Sequence, residues 1–138
     1  MINISQQQGG ANSPTNMAGL LATVTGIDLK ATAATNLYTV PTGKTLIVTE
    51  VVIRVTAVDT FISGATIEVG KSAGYDEWLV ATAMGALSAV NQYRMLSHSA
   101  AGLIYQSFAA GDVLALNVTV GAVSTTLTAA ADVFGYLI

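Results

Sequence analysis

Between Lys44 and Ala57 the chain alternates with a period of two, and no helix can satisfy that pattern. In an extended strand Ile47, Thr49, Val51, Ile53, Val55 and Ala57 fall on one face, and Lys44, Leu46, Val48, Glu50, Val52, Arg54 and Thr56 on the other. The first set is expected to face a core. The second set mixes Glu50 and Arg54, close enough to interact, with apolar Leu46, Val48 and Val52. A strand apolar on both faces is expected to be covered on both, here by another subunit.

The same period recurs along the rest of the chain. Pro41-Thr42-Gly43 is a turn ahead of this strand, and Asn36 to Val40 a short strand before it. Ile62 to Lys71, Trp78 to Ala83, Leu103 to Phe108, Val113 to Val120, Ser124 to Ala130 and Val133 to Ile138 read as further strands. In Val113 to Val120, residues Leu114, Leu116, Val118 and Val120 are expected inward. Around Asn91 to Leu96 a strand and a helical turn both fit. The apolar run Phe134, Tyr136, Leu137, Ile138 predicts a strand inside a sheet, paired on both edges. Short strands at intervals of about 8–12 residues, with Gly-rich turns and no long helix, imply a sandwich or barrel. The expectation is a single all-β jelly-roll β-sandwich of roughly eight antiparallel strands, spanning residues 23–138.

Residues 1–22 differ. Gln6, Gln7, Gln8, Asn12, Pro14 and Thr15 lie in a polar Gln/Gly/Asn/Ser mixture that cannot bury enough apolar area to offset its ordering entropy. This reads as a flexible N-terminal arm: either a disordered terminus or a segment that orders against a neighbouring subunit.

Composition narrows the function. The chain has 138 residues, enough for one core, with charged residues at 9% and hydrophobic ones at 52%. Soluble domains carry roughly 25% charge, so a surface this poor in charge suits packing against neighbours. The net charge is −3, and the basic residues, 5 in number, are scattered. Nucleic acid, which needs clustered Lys and Arg, is not an expected partner. Neither is a membrane: stretches such as Met95 to Ala110 are too polar to span one, and Met1 to Gln8 has neither the basic start nor the apolar run of a signal peptide. With 0 cysteines there is no thiolate site or disulfide.

No catalytic constellation emerges, so the chain is read as a non-enzyme without cofactor or metal. Gly43-Lys44-Thr45 lacks both the earlier Gly and the following helix of a phosphate-binding loop. His98, with Ser97 and Ser99 as neighbours, cannot form a triad, because adjacent residues in an extended chain point apart. Asp76 and Glu77 are consecutive, not opposed across a sugar-sized gap. Calcium would draw on Asp59 or Glu68 as well, yet no loop of alternating acids exists. Asn117-Val118-Thr119 matches a glycosylation acceptor but falls inside a strand. Tyr75, Asp76, Glu77 and Trp78 are candidate glycan contacts, an aromatic platform beside acids. The competing reading places Trp78 in the core, where large aromatics bury well.

Two stretches carry a family resemblance. Phe108-Ala109-Ala110-Gly111-Asp112-Val113-Leu114-Ala115-Leu116 and Phe134-Gly135-Tyr136-Leu137-Ile138 are similar to the Gly-Asp turn and the closing strand of the trimeric jelly-roll families related to TNF and C1q. The stretch from Leu37 to Val48 resembles a turn-and-strand common in structural proteins of tailed bacteriophages, among them head decoration (cement) proteins. This resemblance implies a homotrimer on the outer capsid surface of a virion, bound to the major capsid protein. The arm (Gln6 to Thr15) would then contact the shell, and Leu46, Val48, Val52, Phe134 and Tyr136 would pack between subunits. A receptor- or glycan-binding module of a tail fibre or baseplate is the alternative.

Overall fold

A computed structural model describes residues 18–99 and 107–138 of the chain. Among the described residues there are eight strands and no helix: β1 (Gly19–Asp28), β2 (Ala34–Thr39), β3 (Leu46–Asp59), β4 (Thr66–Lys71), β5 (Leu79–Ala83), β6 (Tyr93–Leu96), β7 (Val113–Val120) and β8 (Thr126–Leu137). They form two four-stranded sheets, ordered β1-β8-β3-β6 and β2-β7-β4-β5, and all pairings between these strands are antiparallel. The chain crosses between sheets at every connection except the β4–β5 one. This is the wrapped order of a β-sandwich whose sheets each take strands from both halves of the sequence. The core between them is built on Trp78, Phe108, Leu29, Leu46, Ile53, Ile67, Leu114, Leu116 and Leu127, all fully buried.

β8 is paired on both edges, to β1 and to β3, as its apolar run predicts. It is one strand of 12 residues where the sequence reads as two runs. The break at Ala131-Asp132 is no turn: Ala131 points into the core, while Asp132 faces out and accepts a hydrogen bond from Thr23 Oγ1 at 2.8 Å. β1 begins at Gly19, ahead of the residue-23 onset of the β pattern. Tyr93–Leu96 pairs with β3, which decides for strand over helical turn. Ile62 precedes β4 proper and donates its backbone N–H to Val123. Val120, expected inward, is exposed, because the β4–β7 register slips between Thr66 and Ile67. Of the strand expected from Leu103 to Phe108, residues 103–106 lie outside the described residues, and Phe108 bridges Leu46.

The largest departure lies in β3. Its register against β8 shifts between Val48 and Glu50, so Thr49 is an extra residue and the strand changes phase there. Beyond the bulge Val51, Ile53 and Val55 are buried, as the alternation predicts. Before it the faces are exchanged: Leu46 and Val48 point into the core, and Ile47 points out.

The turn before β7 is held by one carboxylate. Asp112 Oδ2 accepts the Ala109 N–H at 2.8 Å and pairs with Lys71 Nζ at 3.1 Å. The turn's backbone exchanges two further hydrogen bonds with Val40 at 2.9 Å, while Gly111 sits at φ +85°, a conformation glycine adopts without strain. The Ala109 N–H first, and Lys71 second, hold the Asp112 carboxyl below the usual carboxylate range. A depressed folded-state pKa adds stability that is present above the unfolded value and disappears as pH falls through the folded one. Asp112→Ala is therefore expected to melt lower than the parent at pH 7. The gap should close as pH drops below about 4, read by thermal denaturation across pH 2–7.

Candidate functional site

The outer side of the β1-β8-β3-β6 sheet gathers the apolar groups that the core does not take. Cross-strand registry fixes its rows. Leu20 stands opposite Phe134, which stands opposite Glu50. Thr23, Asp132, Val52 and Met95 form the next row, and Ala130, Arg54 and Tyr93 the one after. Tyr136 opposes Ile47 at one end. Leu20, Tyr93 and Met95 are 58%, 61% and 58% exposed. Val52, Phe134, Tyr136 and Ile47 are half-buried. This face therefore presents seven apolar or aromatic side chains around very few charges. One of those charges is already paired: Arg54 reaches Asp132 through Nε and a terminal nitrogen, both at 3.4 Å.

Of the residues expected to pack between subunits, Val52, Phe134 and Tyr136 lie on this face. Leu46 and Val48 do not. They belong to the chain's own core, turned inward by the extra residue at Thr49. Gln6, Gln7, Gln8, Asn12, Pro14 and Thr15 lie outside the described residues.

The candidate glycan platform does not assemble. Trp78 is 1% exposed, packed in the core, and donates Nε1–H to the Val48 carbonyl at 3.2 Å. His98 meets its ring edge-on at 6.4 Å. No aromatic face of Trp78 is open to a sugar. The Glu77 carboxylate is spent on the chain itself, accepting the Lys71 N–H at 2.7 Å. Gly70 permits this fold-over, since a Cβ there would strike Glu77 and the Tyr75 backbone. Tyr75 is half-buried at φ +70° and Asp76 is exposed, so the four residues form a structural loop laid over β4. Asn117 donates to Glu68 Oε1 at 2.7 Å from within β7. Among the described residues no three His, Asp or Glu side chains gather to hold a metal ion.

Two solved chains share this sandwich over nearly their whole length. One is from the acid-stable capsid of Helicobacter pylori bacteriophage KHP30, with a TM-score of 0.59 and 14% identity, covering 91% of this chain and 94% of that one. The other is from the capsid asymmetric unit of cyanophage Pam1, with a TM-score of 0.54 and 16% identity, covering 100% and 98%. The fold is one that bacteriophage capsids use. The sequence matches no protein-family model and no curated protein.

Leu20, Ile47 and Met95 are the members of the outer face that sequence reasoning missed. Ile47 was hidden by the phase change at Thr49. Met95 sits in a four-residue strand, too short for its period to be read, and Leu20 precedes the clear β pattern. Tyr93, opposite Arg54, belongs to this face as well.

Proposed function

We propose that this chain is a structural protein of a bacteriophage virion: a decoration, or cement, protein seated on the outer capsid surface, where it binds and bridges major capsid proteins. The observation that carries the reading is an apolar outer sheet face on a sandwich whose likeness runs nearly end to end along two bacteriophage capsid chains. Exposed apolar patches on otherwise stable domains mark protein contacts. Val52, Phe134 and Tyr136, joined by Leu20, Tyr93 and Met95, meet a neighbouring copy, and the homo-oligomer is a trimer. The arm, through Gln6 to Thr15, reaches the shell. A subunit that grips two or more shell proteins stabilises the head because opening the lattice must then break several contacts together. The burial of Trp78 leaves the sugar-binding alternative without its stacking surface.

The test uses shells assembled from the major capsid protein of the same phage. The full chain is expected to co-sediment with them and to raise their dissociation temperature. Deleting residues 1–17, which leaves every described strand intact, should weaken attachment at least about a hundredfold, since it removes one of two linked contacts. Full-strength attachment by the deleted form removes the arm from the mechanism, and no attachment by the full chain removes the reading.

A further inference from the structure

The outer face of the β1-β8-β3-β6 sheet is complementary to itself. Val52 sits at its middle, with Glu50 two residues to one side on β3 and Arg54 two residues to the other. At about 3.4 Å per residue each charge stands about 7 Å from Val52. Among the described residues Glu50 forms no ion pair, and the Arg54 contacts to Asp132 are long, at 3.4 Å. A half-buried carboxylate without a cation beside a guanidinium with capacity to spare is an incomplete arrangement in a single copy.

We infer that this face pairs with the same face of a second copy across a two-fold axis through Val52, with the two β3 strands antiparallel. The inference rests on the reading that the face meets a neighbouring copy, and it fixes which way that copy turns. Rotation about such an axis keeps each strand in its column and exchanges the rows on either side of Val52. Glu50 then lies opposite Arg54 of the second copy, twice over, as an interface built from one patch on both subunits requires. Sheets packed face to face stand about 10 Å apart, a gap these two long side chains span together. A parallel arrangement would set Glu50 against Glu50 and Arg54 against Arg54, two like-charged contacts where the antiparallel one has two of opposite charge.

Shape follows the same exchange. Phe134, in the row of Glu50, lands over the small Ala130 in the row of Arg54. Tyr93, in the row of Arg54, lands beyond the end of β6, where the opposing row carries no residue of that strand. Met95 meets Met95 beside the axis, in Val52's own row. Asp132 meets its counterpart there too, each held by its own Thr23 and Arg54. A contact of this symmetry joins subunits of two adjacent trimers on the shell, so under this pairing the face is not the one that packs about the three-fold axis.

The experiment is a charge exchange read by mass in solution. The parent chain is expected to form particles with an even number of subunits, a dimer or a hexamer. Glu50→Arg alone and Arg54→Glu alone should each weaken pairing at least about tenfold, because each sets two like-charged pairs face to face. Mixed one to one, the two variants should pair again, since every contact becomes Arg–Glu. Val52→Arg, a change on the surface that brings two cations onto the axis, should abolish pairing while leaving the circular dichroism spectrum unchanged. It keeps the test decisive if Arg54→Glu fails to fold beside Asp132. A trimer indifferent to all these changes overturns the two-fold pairing and leaves the homo-oligomer standing. A monomer, including one whose face is covered by its own arm or reserved for a shell protein, overturns both.

Discussion

Trp78→Ala is expected to cost about 3–5 kcal/mol, the usual penalty for emptying a large aromatic site in a core. For a domain of this size that removes a large part of the whole folding free energy, which is typically about 5–15 kcal/mol. Two losses add. The side chain is 1% exposed, so its removal leaves a cavity. The Val48 carbonyl also loses the Nε1–H that reaches it from 3.2 Å, and with it a buried hydrogen bond. Trp78→Phe keeps most of the packing and gives up the donor, and is expected to cost about 1–3 kcal/mol. Urea denaturation followed by far-ultraviolet circular dichroism separates the cases. A Trp78→Ala protein as stable as the parent would mean that the indole is not part of the core.

Gly135→Val is expected to destabilise by about 1–3 kcal/mol or more, for the opposite reason, an atom with nowhere to go. Gly135 pairs with Val48 where β3 changes phase. Any Cβ placed there would strike the Ile47 carbonyl oxygen and crowd the Ile47 carbonyl carbon and Val48 Cα at 3.2 Å. These are backbone atoms in the middle of a sheet, and they cannot yield without opening the β3–β8 ladder. The change should also shift Phe134 and Tyr136, its neighbours on the outer face, so loss of stability and loss of self-association should appear together. A Gly135→Val chain that melts with the parent would show that the two backbones are not in close approach.

Much of this architecture is written in local alternation, and what is not has an identifiable cause. Val51, Ile53 and Val55 are legible because they lie between the two register shifts of β3, in the stretch where the period of two runs unbroken. Leu46 and Val48 are misassigned because one extra residue reverses the pleat, and a bulge leaves no mark in composition. Trp78 is ambiguous in sequence, since an aromatic beside acids fits both a sugar platform and a core. Only the fold-over of Gly70 to Glu77 decides between them. Val120 goes astray for the same reason as Leu46, an extra residue in its own strand. The outer face is the least legible part, because registry brings Leu20, Phe134, Val52 and Met95 together from four strands that lie far apart in the chain.

The central place of β8 has a consequence for how the chain acquires its shape. β1 and β3 do not touch each other in the ladder; both wait for β8, the last of the eight described strands to be synthesised. The bond from Thr23 to Asp132 joins residues 109 apart in sequence, and the one from Arg54 spans 78. A nascent chain still lacking β8 cannot close this sheet, and its apolar β1 and β3 edges stand open. Contacts of such high order make folding slow, on the millisecond-to-second scale of all-β sandwiches, and leave the unfinished chain prone to aggregate.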